Sequence, residues 1–440
     1  MAPTSGDTSI TRSVEQFCGR TLKYFPGEAL LAAYRWRGPV ISMGRYVCLL
    51  GPEANRFVFA NSELFRWREA FEGRIPVEGD TTLIVSDGPE HRRRRRLVQP
   101  PLHHRQVENY LEITAETADV AIEQWRPGQR FDTYPGFASL FLRASLHSLF
   151  GRRMAEDEPF FEEHVHILLS LVENLPAVLT WKRRLATPQW RSAIAARDRL
   201  DERVYAEIDR VRRGAADTDD AMLTSLVHGA ESADDALSDK EVRDQVVALM
   251  MVSYETTGAV MAWAIYGMLS TPGVWDQAAA EVRDIVGDRR PNAADLSRLT
   301  YLKGVVHEAL RLYPGAVVSP RYVAREFEFG GRRVKQGSTV VFSPYVTHRL
   351  PELWPDPLAF RPQRWDPAGP EYQKRGTDQF LPFAAGPHRC VGADLATTQL
   401  TVMLARLLAQ RSLYLPEQRI RPTLPTVLHP AHGLLVDVLG

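Results

Sequence analysis

A short loop near the end of the chain carries one cysteine between two glycines, in the run Phe383-Ala384-Ala385-Gly386-Pro387-His388-Arg389-Cys390-Val391-Gly392. Glycine lets the backbone approach another group closely and adopt angles that other residues avoid. A thiolate is stable as the anion only beside hydrogen-bond donors, cations or a metal ion. The loop therefore predicts a metal-bound thiolate at Cys390, with haem iron as the best candidate. The alternative is an inert loop cysteine.

A second pattern with possible chemistry is Glu308-Ala309-Leu310-Arg311, about 80 residues before the cysteine. Glu308 and Arg311 are three positions apart, so they lie on one face of a helix and can pair. Alone, such a pair is typical of a solvated helix surface. Between it and the cysteine loop lies a proline-rich segment that contains Arg364.

An acid and a hydroxyl, Glu255 and Thr256, interrupt the most apolar stretch of the chain, Val246 to Leu269. Such groups inside an apolar helix are costly unless they line a cavity or find partners. The alternative for Thr256 is a hydrogen bond back to a carbonyl of its own helix.

Composition excludes several classes of protein. The chain has 440 residues, of which 44% are hydrophobic, with 54 basic and 54 acidic residues. This balance does not favour nucleic acid as a partner. Cys18, Cys48 and Cys390 are too few and too scattered for a disulfide framework. Met1 to Glu15 is polar and lacks the apolar core of a signal peptide, and Glu255 lies within the most apolar run, so no membrane anchor is expected. We expect a cytoplasmic protein.

The elements that must position these residues are mainly helical. We predict a helix-rich core over residues 89–312 and 391–411, and a smaller β portion from residues 30–50, 321–342 and 415–440. Ser238 and Glu241 form a capping-box sequence, which predicts a long helix ending near Leu269. Further helices are predicted near Val274–Val286, Leu302–Tyr313 and Leu395–Gln410.

The strands are predicted from short apolar runs. A hairpin that turns at Gly44 is predicted before Leu50, and strands are predicted at Arg321–Phe329 and Val334–Phe342. Asn61 to Asp87 and Trp354 to Asp378 are expected to be irregular. If the early and late strands pair, residues 1–440 form one interwoven domain.

The cysteine loop resembles the haem-binding signature of the cytochrome P-450 superfamily, of the soluble bacterial type. The resemblance implies that Cys390 is the axial ligand of haem b iron. It also implies that Phe383 packs beneath the ring, that His388 reaches a propionate, and that the glycines at 386 and 392 let backbone amides point at the sulfur.

The other motifs occur in the order in which this superfamily has them. By resemblance, Glu308, Arg311 and Arg364 would form a buried structural network behind the cysteine loop. Glu255 and Thr256 would be catalytic, delivering protons on the opposite side of the haem.

A basic run, His91 followed by Arg92 to Arg96, has the spacing at which the superfamily places propionate ligands, here His91 and Arg95. Arg321 resembles a further propionate contact; the alternative is an ordinary arginine at the end of a strand. The other arginines predict either a solvated basic face or a docking patch for an acidic electron carrier.

The sequence departs from the superfamily pattern at two places. Val252-Ser253 stands where Ala-Gly usually precedes the acid–alcohol pair, and Ala384 stands where glycine is usual. The first departure should narrow the groove of the helix beside the haem.

The expected fold is therefore a single, mainly α cytochrome P-450-type fold, with haem between the long helix and the cysteine loop. The expected function is insertion of one oxygen atom from O2 into an apolar small molecule: a lipid, terpenoid, steroid or polyketide. Electrons would come from a ferredoxin-type donor and its reductase, and the protein would be a monomer. The alternatives are a peroxide-driven enzyme of the same fold and a non-enzymatic haem-binding sensor.

Overall fold

The structure, a computed structural model, describes residues 26–102, 109–172, 176–214, 221–230, 232, 235–424 and 427–439. The polar N-terminal segment and Cys18 lie outside these residues.

Helices make up most of the described chain. They are α1 (Pro26–Arg37), α2 (Pro52–Ala60), α3 (Arg68–Phe71), α4 (Ile75–Glu78), α5 (Gly88–Val98), α6 (Asn109–Ile122), α7 (Thr133–Phe150), α8 (Arg152–Ala155), α9 (Glu158–Val172), α10 (Pro176–Arg184), α11 (Pro188–Arg212), α12 (Met222–His228), α13 (Asp239–Ser270), α14 (Val274–Ile285), α15 (Ala293–Arg298), α16 (Thr300–Leu312), α17 (Pro344–Thr347) and α18 (Ala393–Gln410).

The strands are short and come from distant parts of the chain. They are β1 (Val40–Met43), β2 (Tyr46–Leu49), β3 (Phe65–Arg66), β4 (Arg130–Asp132), β5 (Ser319–Val323), β6 (Phe327–Phe329), β7 (Arg332–Val334), β8 (Thr339–Phe342), β9 (Leu413–Tyr414), β10 (Pro422–Thr423), β11 (His429–Pro430) and β12 (Leu435–Val438).

The largest sheet in the described residues has the order β1-β2-β8-β5-β3. Strands β2 and β8 are parallel, with Tyr46 opposite Thr339, whereas the other neighbours are antiparallel. A second sheet has the order β4-β12-β9. The early strands therefore do pair with a strand after residue 320, which is the condition stated above for one interwoven unit.

The core is built around α13. Its N-terminus has the predicted capping box, because Ser238 and Glu241 each bond to the other's backbone amide. Its close contact with α7 needs a glycine: a Cβ atom at Gly258 would lie 2.8 Å from the Cα of Ala138. The apolar C-terminal half of α13 packs with α14, α16 and α18 in one buried cluster, which includes Ile265 and Met403.

Helix α13 is also long and apolar enough to cross a membrane, with a mean hydropathy of 1.3 in its best window. However, 67% of that window is buried inside the protein. The core helix of a globular protein has these same properties, so the length and composition of α13 do not indicate a membrane span.

Two predictions of local structure were wrong. Residues 30–37, assigned to the β portion, belong to helix α1. Residues 61–87 are not one long loop, because they form β3, α3, α4 and several 3-10 turns. Neither segment has apolar residues at the regular spacing of a helix or a strand. Their structure therefore depends on packing against the sheet and α13 rather than on the local sequence.

Candidate functional site

The cysteine loop is a closed turn between the 3-10 turn Gly386–His388 and helix α18. The amide of Cys390 donates to the carbonyl of Phe383 at 3.0 Å, and the amide of Arg389 donates to that of Gly386 at 3.0 Å. Gly386 has a φ of 74° and Ala384 a φ of 54°. The departure at Ala384 therefore places a side chain in a left-handed conformation that glycine adopts more easily.

The sulfur of Cys390 has neighbours that favour a thiolate, although burial opposes it. The residue is exposed, but it lies deep enough among protein atoms that burial raises the pKa of its thiol. The backbone amide of Gly392, which hydrogen-bonds to the sulfur, lowers this pKa, as do Arg389 and Arg95, although the net shift is upward. A bound metal cation would remove the thiol proton outright, and the amide would then stabilise the thiolate.

Glu308 is the centre of a buried clamp behind this loop. Arg311 donates to both of its carboxylate oxygens, from Nε at 2.8 Å and from Nη2 at 2.7 Å. Arg364 Nε donates at 3.3 Å, Trp365 Nε1 at 2.9 Å and the amide of Arg361 at 2.9 Å. A buried carboxylate is tolerated when it is paired and hydrogen-bonded in this way. The structure thus brings Glu308, Arg311 and Arg364 together.

His348 connects this clamp to the cysteine loop, and the sequence analysis missed it. Its Nδ1 lies 3.0 Å from the carbonyl oxygen of Arg311, and its Nε2 accepts a hydrogen bond from the amide of Leu381 at 3.0 Å. These contacts assign the neutral tautomer with the proton on Nδ1. Burial lowers the pKa of His348 well below its ordinary value, which keeps that tautomer. No spacing pattern marks this residue in the sequence.

The side chains predicted to hold haem carboxylates form a stack on the other side of the loop. The rings of His91 and His388 lie 3.7 Å apart, and His388 lies 4.2 Å from the ring of Trp67. The guanidinium of Arg321 lies 3.6 Å over that same indole. Trp67 was not predicted; an aromatic residue in the segment before His91 was its only sequence signal.

This stack has the hydrogen-bond donors and the positive charge that an anionic ligand needs. His91 is buried, and its Nε2 has no hydrogen-bond partner among the described residues. Arg321 is 3% exposed and donates to the Ser319 hydroxyl and the Pro320 carbonyl. Burial lowers the pKa of Arg321 to about 9. Burial, together with His91, Arg321 and Arg95, lowers the pKa of His388 to about 2. The two carboxylates of a haem would satisfy such a group, so these residues fit that cofactor.

Three other arginines of the run, Arg93, Arg94 and Arg96, are paired with carboxylates and do not form a free basic patch. Arg93 and Arg94 both pair with Glu241, the capping residue of α13, with Arg94 Nε at 2.8 Å. Arg94 also donates to the Ser86 hydroxyl at 2.8 Å, and Arg96 pairs with Asp235 at 2.7 Å. These three arginines fasten α5 to the start of α13. Arg95 instead faces the cysteine loop, donating to the Arg389 carbonyl at 2.8 Å.

The middle of α13 presents Val252, not Ser253, to the open side of the site. Val252 is 38% exposed although the neighbouring Met251 is buried. Ser253 turns toward α7, where its hydroxyl lies 2.9 Å from that of Ser145, and it donates to the Met250 carbonyl at 3.1 Å. Of the two residues that depart from the superfamily pattern, Val252 is therefore the one that can narrow the groove.

Thr256 and Glu255 follow on the same helix and are partly exposed. The Thr256 hydroxyl donates to the Val252 carbonyl at 2.6 Å, which is the back-bonded geometry considered above. The pKa of Arg74 is raised overall: burial lowers it, but the charges of Glu78 and then Glu255 raise it by more. With its proton held by Val252, the Thr256 oxygen is left as a hydrogen-bond acceptor.

The two halves of the site belong to one packed unit. Val391 in the cysteine loop and Leu395 at the start of α18 pack in the same cluster as Met250 and Tyr254 of α13. Phe383 packs against the cluster that holds α18. No group of three or more His, Cys, Asp or Glu side chains in the described part of the chain could hold a bare metal ion. The donor set, one thiol plus cationic anchors, suits a metal carried in an anionic macrocycle.

Comparison with known proteins gives consistent matches. A cytochrome P-450 family model matches residues 40–437. Cytochrome P-450 139 of Mycobacterium tuberculosis is 48% identical over 95% of this chain and 98% of its own. Cyclooctat-9-en-7-ol 5-monooxygenase of Streptomyces melanosporofaciens is 33% identical over 86% of this chain and 80% of its own. The solved retinoic acid-bound cyanobacterial CYP120A1 has the same fold, with a TM-score of 0.82 at 22% identity over 92% of this chain and 93% of that one.

Proposed function

This chain belongs to the cytochrome P-450 family and is thus a haem monooxygenase, and from that premise we propose its residue roles, substrate class and electron donor. The observation that carries the proposal is the closed loop in which the amide of Cys390 donates to the carbonyl of Phe383 at 3.0 Å. His348 ties this loop to the Glu308 clamp through the amide of Leu381. The cofactor we propose is haem b. When bound, it supplies the iron at which O2 is reduced and one oxygen atom passes to the substrate.

Cys390 would hold the haem iron through its sulfur. The Gly392 amide tunes its basicity, and the turn at Gly386 keeps the loop backbone close. Phe383 packs on the side of the loop that faces α18. The two propionates would be held by charge-assisted hydrogen bonds from His91, Arg95, Arg321 and His388.

On the α13 side, Glu255 and Thr256 are the proposed proton-delivery residues. The Thr256 oxygen, whose own proton is bonded to Val252, accepts a hydrogen bond from water or another donor and holds it in place. Glu255 exchanges protons with that donor as a general acid.

The iron-ligand proposal is tested by the Soret band of the reduced, CO-bound protein. We expect the red-shifted band that a thiolate ligand produces, and we expect Cys390→Ser and Cys390→His to abolish it. Cys48→Ser is the matched control, since Cys48 is 2% exposed, belongs to strand β2 and is far from Cys390 in the sequence. An unchanged band in Cys390→Ser would contradict the proposal.

The proposed substrate is an apolar terpenoid-like molecule. The relative named cyclooctat-9-en-7-ol 5-monooxygenase supports this class. We propose that the pocket is lined by the segment 65–85, by α9 and α10, by α13 near Val252 and by the chain near Val317. Leu168, Leu179 and Met251 of these segments share one apolar cluster, as expected for such a pocket. A screen for substrate-induced Soret shifts tests it: shifts with polar substrates alone would exclude the class.

The proposed electron donor is a ferredoxin-type protein with its reductase. Arg92 on α5 and Arg389 in the cysteine loop are exposed and have no acidic partner among the described residues, and Arg95 bridges their elements. Charge reversal at Arg92 and Arg389 should slow reduction, more strongly at low salt. Arg213→Glu, at the exposed end of α11, is the control. Equal reduction rates in all variants would contradict the docking site.

One measurement separates the three functional classes considered from the sequence. NADH consumption with product formation, on addition of ferredoxin and its reductase, supports the monooxygenase. Product formation with peroxide alone supports the peroxide-driven alternative, and haem binding without turnover supports the sensor. The intact acid–alcohol pair favours the first.

We also propose that residues 1–440 form one domain and that the enzyme is a cytoplasmic monomer. The pairing of β2 with β8 supports the single domain, and the burial of α13 inside the protein fits a helix that does not span a membrane. Sedimentation velocity of the purified protein tests the monomer, and a predominant dimer at micromolar concentration would contradict it.

A further inference from the structure

A cavity outside the haem-binding residues opens in the irregular segment between α17 and the cysteine loop. Its volume is about 180 Å³. The side chains that matter are two indoles, Trp354 and Trp365, three guanidiniums, Arg361, Arg364 and Arg375, and one carboxylate, Glu371.

The cavity has more positive than negative charge. Arg361 is paired with Glu371 at 2.5 Å and with Asp356 at 3.0 Å. Arg375 forms no ion pair within the part of the chain that the structure describes, and its guanidinium lies 4.6 Å over the ring of Trp354. Burial lowers the pKa of Arg375, and the charges of Arg364 and Arg311 lower it further. The positive charges of Arg364 and Arg311 thus repel the positive charge of Arg375.

Arg364 does not relieve this excess. Within the described ranges its one carboxylate contact is the 3.3 Å bond to Glu308, whose oxygens already accept from Arg311 at 2.7 and 2.8 Å. Its Nη2 donates to a neutral acceptor, the Asp356 carbonyl, at 2.9 Å. An anion in the cavity would therefore lie beside the guanidinium groups of Arg364 and Arg375, whose N–H donors do not all have acceptors among the described residues. Hydrogen bonds from a guanidinium to an anion are charge-assisted and stronger than those between neutral groups.

The size and the walls restrict the kind of anion. Cavities of roughly 150 Å³ hold a molecule the size of benzene, so this one suits a single ring with a small charged group. The indoles offer flat apolar surface, and guanidinium forks match the two oxygens of a carboxylate or the oxygens of a phosphate.

We propose that this cavity is a binding site for a small organic anion, in which Arg375 and Arg364 hold a carboxylate or phosphate group and Trp365 and Trp354 contact a flat ring. The site shares no residue with the proposed haem ligands, so a failure of this proposal would not affect the proposed function. Arg364 joins it to the Glu308 clamp, so an occupied site would bear on the segment that supports the cysteine loop.

The test is isothermal titration of the haem-loaded protein with three probes at constant ionic strength. Benzoate carries the ring and a carboxylate, phenyl phosphate carries the ring and a phosphate, and inorganic phosphate carries no ring. We expect saturable binding of at least one ring-bearing probe, weaker binding of inorganic phosphate, and a loss of about tenfold or more in Arg375→Gln. Glu371→Gln should bind more tightly, because it removes the only carboxylate among the six side chains named above.

Arg213→Gln, an arginine that is 76% exposed and paired with Asp209, is the matched control and should bind like the parent protein. Arg375 is not part of the clamp, so its variant should keep the parental haem content and unfolding midpoint. Absence of saturable binding, equal affinity in Arg375→Gln, or weaker binding in Glu371→Gln would each overturn the proposal. Whether benzoate or phenyl phosphate binds more tightly decides between a carboxylate and a phosphate ligand.

Discussion

Ala384 illustrates how one methyl group can strain the loop that holds the cysteine. Its φ of 54° costs a non-glycine residue about 1–2 kcal/mol. Glycine would remove that cost but lose about 0.5–1 kcal/mol of backbone entropy on folding. The removal of this strain is the larger of the two effects. We therefore expect Ala384→Gly to raise the free energy of unfolding by roughly 0.5–1 kcal/mol, measured by denaturant unfolding.

The neighbouring residue provides the control for this prediction. Ala385 has a φ of −150°, which is ordinary extended backbone. Ala385→Gly should therefore lose entropy without relief and destabilise the protein by about 0.5–1 kcal/mol. If both variants shift stability in the same direction, the strain assigned to Ala384 is wrong.

Thr256 is predicted to matter for chemistry more than for stability. Its hydroxyl bonds to a carbonyl of its own helix, and loss of such a bond changes stability by less than about 1 kcal/mol. As a proton-delivery residue, however, it should affect the fraction of electrons that reach product. We expect Thr256→Ala to lower the ratio of product formed to NADH consumed by at least about tenfold.

Thr257 is the matched control, because it is the next residue of α13 and is 4% exposed, so it is buried on another side of the helix. Thr257→Ala should keep the parental ratio of product to NADH. A similar loss in both variants would indicate that the helix itself was disturbed, and an unchanged ratio in Thr256→Ala would remove its proposed role.

At the scale of elements, the clamp around Glu308 holds α16, the segment around residues 356–365 and, through His348, the start of the cysteine loop. Glu308→Gln keeps the shape but leaves the buried cations of Arg311 and Arg364 without their anion. Breaking a buried pair in this way costs about 3–5 kcal/mol. We expect that loss in unfolding measurements, together with a lower Soret-to-protein absorbance ratio after purification.

A surface ion pair of the same type serves as the control. Glu326 and Arg333 pair at 2.5 Å, with side chains that are 47% and 70% exposed. Glu326→Gln should change the free energy of unfolding by less than about 0.5 kcal/mol. Equal effects of the two substitutions would show that Glu308 is not the centre of a clamp.

Elements with a chemical start or stop signal were predictable from the sequence. Ser238 and Glu241 marked the beginning of α13, and the Phe383–Gly392 run marked the cysteine loop; both are where they were expected. His348, Trp67 and the pairing of Arg94 with Glu241 were not predicted. Each depends on a partner more than 20 positions away in the sequence or on a turn of the backbone. Distant partners and turns produce no repeating pattern in the local sequence.

At the scale of the whole molecule, buried histidines make stability depend on pH. Burial lowers the pKa of His307 to about 4 and that of His348 well below its ordinary value. Both titrate near 6.5 in the unfolded chain. As the pH falls below about 6.5, the unfolded state binds protons that the folded state does not, so folded stability is lost progressively toward pH 4, by up to about 1.4 kcal/mol per pH unit for each histidine.

The check is denaturant unfolding at about pH 7.5 and pH 5.5. His307→Phe can retain the contacts with Trp365 and Phe380. We expect its free energy of unfolding to depend less on pH than that of the parent protein, by a slope that corresponds to at most one proton bound on unfolding. His166→Phe, on the exposed side of α9, is the control. A parental pH dependence in His307→Phe would contradict a neutral, buried His307.

The parallel contact between β2 and β8 has a consequence for the making of this protein. Strand β2 leaves the ribosome early, but its partner is synthesised about 290 residues later, which at 5–20 residues per second takes roughly 15–60 seconds. During that time the β1–β2 hairpin presents an open edge that other chains can join. The clamp and the cysteine loop, by contrast, are made within one short late interval. Cofactor insertion is therefore expected to wait for chain completion, and slow translation or a shortage of chaperones should lower the yield of haem-loaded protein before it affects any catalytic step.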